Sequence, residues 1–259
     1  MGEFVRLEVD QAVGVIHLDR PPANAFSLQM SVELLETVQA AAEDDRVGAI
    51  VVSGGDRLFA AGADIKEMAD HGPQEIASQV EALGGACVLL ERIDKISIAA
   101  ISGVALGGGL EVALGCDLRY LADTGRVGQP EILLGVIPGA GGTQRLVRHV
   151  GPGRTRELVY TGRQVAATEA LQLGIADKVL PAEEVFATAV EDAGSFARGP
   201  RRALAAAKTA IRAASERPGA AGLQRERELF VQLFGTPDQR EGMRAFLDKR
   251  PPVFGSDRS

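Results

Sequence analysis

The chain has 259 residues, 46% of them apolar and 24% charged, which is enough for one large domain without a disulfide staple. The net charge of −7 argues against a nucleic-acid binder, because phosphate contacts dominate that affinity. Two cysteines, Cys87 and Cys116, and three scattered histidines offer no zinc spacing; the thiols read as buried and reduced. The N-terminus lacks the features of a secretory signal or transit peptide. Residues 96–115 carry a single charge, but their glycines and central Glu111 suit a buried segment of a soluble fold better than a membrane span. A cytoplasmic protein without membrane contact is expected.

Residues 3–9 and 12–18 alternate like two strands joined as a hairpin near Asp10-Gln11. The run Arg20 to Ala25, with two prolines, reads as an ordered loop. Ser27 then caps a helix carrying Leu34, Leu35, Val38 and Ala42 and ending near Asp45. Residues 48–52 form a short apolar run, the mark of a strand buried on both faces. Asp64 can cap a short helix. Ile76, Val80, Leu83, Cys87 and Leu90 make one helical stripe, expected on the core.

Strand-like stretches at 98–101 and 104–106 lead into Gly107-Gly108-Gly109, which opens a helix carrying Glu111 to about Cys116; residues 117–121 return as a strand. Strand-and-helix cycles of this kind imply crossover connections and helix-covered sheets. The next helix is expected beyond Gly128. From Pro152 onward the chain reads as mostly helical, with one short strand at 176–180. Gly199-Pro200 and Pro218-Gly219 punctuate a final region, 196–250, whose apolar residues exceed what a short hairpin can bury. Packing against the body or another subunit would cover them.

The triple glycine is either a tight strand-to-helix turn or a place where helix N–H groups meet an anion. It is not a dinucleotide fingerprint, since no third glycine follows at the required spacing. Glu111, among Leu110, Val112, Ala113 and Leu114, reads as buried. Glu131, after Pro130, is either a first-turn carboxylate complementing a helix dipole or part of a site. Asp64 and Lys66 read most simply as a cap and a solvated side chain. Taken together, two carboxylates at one water-sized gap can share acid and base duties. The backbone N–H groups of Ala63 and Gly108 can converge on one oxygen as an oxyanion hole. That equipment suits proton chemistry beside a carbonyl and needs no metal or redox cofactor.

Three segments carry a family resemblance: FAAGADIKEM (59–68), IAAISGVALGGGLEVALGCD (98–117) and GQPEILLGVIPGAGGTQRL (128–146). With YTGRQVAATEALQLGIADKVLP (160–181) and QREGMRAFLDKR (239–250), the chain resembles the crotonase (enoyl-CoA hydratase/isomerase) superfamily, its enoyl-CoA hydratases in particular, over nearly its whole length. The resemblance implies an α/β fold, a spiral of ββα units over residues 1–195, with a C-terminal helical region, 196–259, that builds trimers or hexamers. It implies an acyl-CoA substrate, with coenzyme A carried by that substrate, and reversible syn hydration of a trans-2-enoyl-CoA. Glu111 would hold and activate water, Glu131 would protonate the carbon beside the carbonyl, and Ala63 and Gly108 would bind the thioester oxygen. Ala23, Ala25, Ala61, Ala63, Asp64, Ile65, Lys66, Gly107, Gly108 and Pro130 fall on the family's substrate and coenzyme A segments. Phe234 and Lys249 would approach a neighbouring subunit's ligand. Leu110 replaces a frequent Cys, and the stretch after Lys66 is slightly longer, which bears on acyl preference. The alternatives are another acyl-CoA reaction of the fold (isomerase, hydrolase or decarboxylase) and an RNA-binding or scaffold relative.

Overall fold

The computed structural model describes residues 2–216 and 219–255, so Pro218 lies outside the described residues. Strands β1 (Val5–Asp10) and β2 (Val13–Leu18) pair antiparallel. Gln11 and Ala12 between them take positive φ of 43° and 68°, the pair of left-handed positions whose twist matches the strands. Helix α1 (Leu28–Glu43) starts at Ser27, whose hydroxyl accepts the Met30 N–H at 3.1 Å. Strand β3 (Ala49–Ser53) follows, then α2 (Ile65–Met68) with Asp64 as its cap, and α3 (Pro73–Arg92). Next come β4 (Ile96–Ile101), β5 (Val104–Leu106), α4 (Gly108–Gly115) and β6 (Leu118–Ala122).

Two short strands escape the sequence reading, β7 (Arg126–Gly128) and β8 (Gln164–Ala166). Each is three residues long around one buried valine, Val127 or Val165, too short for any alternation to register. Helix α5 (Gly142–Thr161) is the helix expected beyond Gly128, and it kinks at Gly151, just before Pro152. Then follow α6 (Ala167–Leu173), β9 (Lys178–Leu180), α7 (Val185–Arg198), α8 (Arg201–Glu216), α9 (Ala220–Leu233) and α10 (Pro237–Leu247).

The large sheet runs β1-β2-β3-β4-β6-β9, parallel from β2 onward, and the small one runs β5-β7-β8. Two isolated parallel bridges, Phe26 with Ala63 and Ala60 with Ala105, continue the small layer. Successive passes therefore place one strand in the large sheet and one short stretch in the small layer: β3 then 60–63, β4 then β5, β6 then β7. This is the spiral of ββα steps. The apolar runs are explained by burial on both faces. Ile50, Val52, Ala99 and Ile101 face the core shared with α1, α3 and α4, while Ala49, Val51, Ile98 and Ala100 pack beneath α7.

Position 195/196 falls inside α7, and the helix breaks instead at Gly199-Pro200. Beyond it, α8 is pinned to the body by Lys208. This buried ammonium donates to Leu90 O (2.8 Å), Lys95 O (3.0 Å) and the Asp117 carboxylate (2.7 Å), which also accepts from the Ser97 N–H and hydroxyl. Helices α9 and α10 leave Phe230, Val231, Phe234, Phe246 and Leu247 exposed, as the sequence pattern anticipates.

Candidate active site

Glu111 lies one turn into α4 and is 3% exposed. Its Oε1 accepts two backbone N–H groups, from Ala140 (2.8 Å) and Gly142 (2.7 Å), in the second glycine-rich turn. Arg145 braces that turn, donating to Ala140 O at 2.8 Å and pairing with Glu91, which Arg148 also holds. Burial raises the Glu111 carboxyl above its ordinary value, while the two N–H groups and Arg145 pull the other way.

Glu131 opens a 3₁₀ turn (Glu131–Leu134) directly after Pro130. Burial pushes it up to about 7, and the charge of Glu111 adds to the rise. The Gln129 side chain, 1% exposed, lies against it. Oriented with its nitrogen toward Glu131, the amide donates to both carboxylate oxygens, at 2.7 and 3.1 Å.

Glycine is required at two positions here. Gly107 has φ 51°, and a Cβ there would stand 3.1 Å from Glu131 Oε1. Gly109 lets α4 press on the small layer, since a Cβ would fall 2.4 Å from Ala60 O. Gly109→Ala is expected to cost about 2 kcal/mol, read from the urea midpoint.

Ala63 is held on one edge: the Phe26 N–H donates to Gly62 O (2.8 Å) and the Asp64 N–H donates to Phe26 O (2.9 Å). This leaves the Ala63 N–H on the other edge. The Gly108 N–H is in the first turn of α4, where no intrahelical acceptor is available.

Ala63, Gly108, Glu111 and Glu131 all line one cavity of about 250 Å³, together with Ala61, Ile65, Gly107 and Pro130. Its remaining wall is mainly apolar and includes Met68, Ile76, Val80, Leu83, Val136 and Ile137. The α3 stripe thus divides. Cys87 and Leu90 are buried in the core and Ile76 and Val80 belong to the cavity wall, with Leu83 touching both, because α3 overhangs the site at its start.

Ala23 and Ala25 flank Asn24, which ties their loop to Gly54 O (2.9 Å) and Phe59 O (3.0 Å). Ala23 O also accepts the Ala61 N–H, so the loop abuts the 60–64 segment. Asp64 lies outside the cavity lining. It caps α2 and pairs with Arg20 at 2.7 Å, which holds its carboxyl below the ordinary range. Lys66 is exposed. Within the single chain, Phe234 lines a separate apolar crevice with Phe230, Met243 and Phe254, and Lys249 is exposed after α10. Gln129, Arg145 and Gln79, a further cavity residue, escape the sequence reading; polar residues in loops and helices carry no periodic signal that marks them as buried.

An apolar cavity with two carboxyls and two main-chain N–H groups, built on a ββα spiral, is equipped for proton transfer beside a carbonyl. The chain belongs to the enoyl-CoA hydratase/isomerase family, whose model matches residues 8–257. It is 42% identical over 254 residues to a probable enoyl-CoA hydratase of Mycobacterium tuberculosis (strain CDC 1551 / Oshkosh), covering 97% of this chain and 98% of the relative. It is 40% identical to the 2,3-dehydroadipyl-CoA hydratase of Escherichia coli (strain K12), over 94% of this chain and 95% of that one. The crystal structure of an enoyl-CoA hydratase from Bacillus anthracis superposes with a TM-score of 0.92 at 35% identity, covering 97% of this chain and 99% of that chain.

Proposed function

We propose that this protein is an enoyl-CoA hydratase that adds water reversibly and syn across the double bond of a trans-2-enoyl-CoA. The observation that carries the reading is the placement of Glu111 and Glu131 in one apolar cavity beside the Ala63 and Gly108 N–H groups. In the reaction, Glu111 takes a proton from water as its oxygen bonds to the β carbon. The π electrons move toward the thioester oxygen, whose growing negative charge the two N–H groups meet. Glu131 then gives its proton to the α carbon, and the carbonyl re-forms. A raised carboxyl suits the donor role, because the group must carry a proton near neutrality. The two groups act as a coupled pair, so the protons belong to the pair rather than to either residue. Coenzyme A enters and leaves with the substrate, near the 23–25 loop and the 61–66 segment, and no further cofactor is assigned a step.

The exposed apolar faces of α9 and α10 and of residues 132–137 support assembly into trimers or hexamers, with Phe234 and Lys249 near a neighbouring subunit's ligand. None of the described helices is long and apolar enough to cross a membrane, and a cytoplasmic location is part of the same reading.

Incubation with crotonyl-CoA in ¹⁸O-labelled water tests the reaction class. The expected result is loss of the conjugated enoyl absorbance with label on the β carbon. Double-bond migration without label, or release of free coenzyme A, would replace hydration by isomerisation or hydrolysis.

A further inference from the structure

Two cavities adjoin along α3: the one that holds Glu111 and Glu131, of about 250 Å³, and a second of about 400 Å³. Val80 and Ala140 line both, so these two residues form the partition between them. Ala140 is fixed from both sides, its N–H donating to Glu111 and its carbonyl accepting from Arg145. Val80 is seated on the same turn, since a Cβ added to Gly139 would stand 3.3 and 3.5 Å from its two methyls. Nothing behind Val80 repeats the barrier. Four positions on, the same face of α3 carries Gly84, and Gly85 beside it also lines the second cavity. At Val80 the partition is one side chain thick.

In the proposed hydration the thioester oxygen lies at Ala63 and Gly108, and the β carbon meets the water that Glu111 activates. Oε1 of Glu111 accepts the Ala140 N–H, so the acyl tail, which leaves from the β carbon, sets out beside the partition. We propose that Val80 sets the acyl length, its two methyls ending the path of the tail. The preferred substrates are then enoyl thioesters whose hydrocarbon tail stops in front of Val80. A longer tail has to displace a β-branched side chain, which in a helix has one strongly preferred rotamer. Without those methyls the two cavities join, and a longer tail passes on into the space lined by Gly84, Gly85 and Val88. This rests on the hydration reading, which places the acyl tail in this cavity.

The test measures kcat/KM for trans-2-enoyl-CoAs of four to twelve carbons in wild type, Val80→Ala and Val88→Ala, each as a ratio to crotonyl-CoA. The ratio cancels any loss common to all substrates. Val80 is 36% exposed and alanine favours the helix there, so the variant keeps its fold. Val88 lines the second cavity and not the first, which makes it the control. In the wild type the ratio is expected to fall by roughly tenfold or more at one chain length. In Val80→Ala that fall moves out by about two carbons, since two missing methyls leave room for about two methylenes. Val88→Ala keeps the wild-type profile. A wild-type profile with no fall, a fall at the same length in Val80→Ala, or an equal shift in Val88→Ala overturns the proposal. Kd values of the saturated acyl-CoAs of the same lengths give a second readout that needs no turnover. Affinity that breaks off at the same length in wild type and Val80→Ala overturns it as well. Absence of hydration with a shifted Kd profile would sink the hydratase reading and leave the role of Val80 standing; hydration with unshifted profiles would do the reverse.

Discussion

Glu111→Gln and Glu131→Gln each lower the rate of crotonyl-CoA hydration by about 10²–10⁴-fold, the usual contribution of a positioned acid or base. Gln at 111 keeps a carbonyl oxygen where Oε1 accepts the Ala140 and Gly142 N–H groups, so the turn it anchors stays in place. The loss falls on kcat, and acyl-CoA binding is retained. Glu131→Gln has a second signature, in the pH profile. Burial raises this carboxyl from an ordinary 4.5 to about 7, so in the wild type kcat/KM for hydration declines as pH climbs through about 7 and the donor loses its proton. The variant lacks that limb. The sign for stability is the same: the folded state holds the Glu131 proton more tightly than the unfolded chain, a contribution fully present below 4.5 and lost as pH rises through about 7. Near-normal hydration by either variant would remove the carboxylate pair from the mechanism.

Lys208→Met lowers the unfolding free energy by about 3 kcal/mol, since taking away one partner leaves Asp117 and two buried carbonyls short of a donor. Met keeps most of the aliphatic stem, so the loss reports the ammonium and not the packing. Ser97 still donates twice to Asp117, which caps the cost. Denaturant titration of Lys208→Met, Asp117→Asn and the double variant reads the coupling directly. The double variant is expected to cost less than the two singles added, and strict additivity would show that the pair does not pin α8.

Most of the helices and the longer strands were legible because their signals are local, while the spiral that joins them came from the family resemblance. Ser27 and Asp64 are side-chain caps, Gly107 to Gly109 mark a helix start, and β3 and β4 are unbroken apolar runs. What stayed hidden depends on contacts between distant residues. Val127 and Val165 sit in three-residue strands that exist only because β7 pairs with β5 and β8 pairs with β7. Ile76 and Val80 share the period of Leu83 and Leu90, and periodicity cannot tell a core-facing side from one overhanging a cavity. Gln129 and Arg145 are invisible for a related reason. Gln129 is packed against Gly142 and Arg145 pairs with Glu91, both contacts between distant residues. Glu111, Glu131 and the glycine-rich turn at 139–142 could each be picked out from the sequence, but not that the turn grips Glu111.

That grip has a stereochemical consequence. With Oε1 of Glu111 already held by two main-chain donors, Oε2 is the oxygen that remains for a water molecule, and its direction is set by the rigid α4–α5 junction rather than by the incoming acyl chain. In the proposed hydration, attack is then confined to one face of the planar alkene. The handedness of the alcohol that the proposed reaction forms is therefore inherited from a backbone turn.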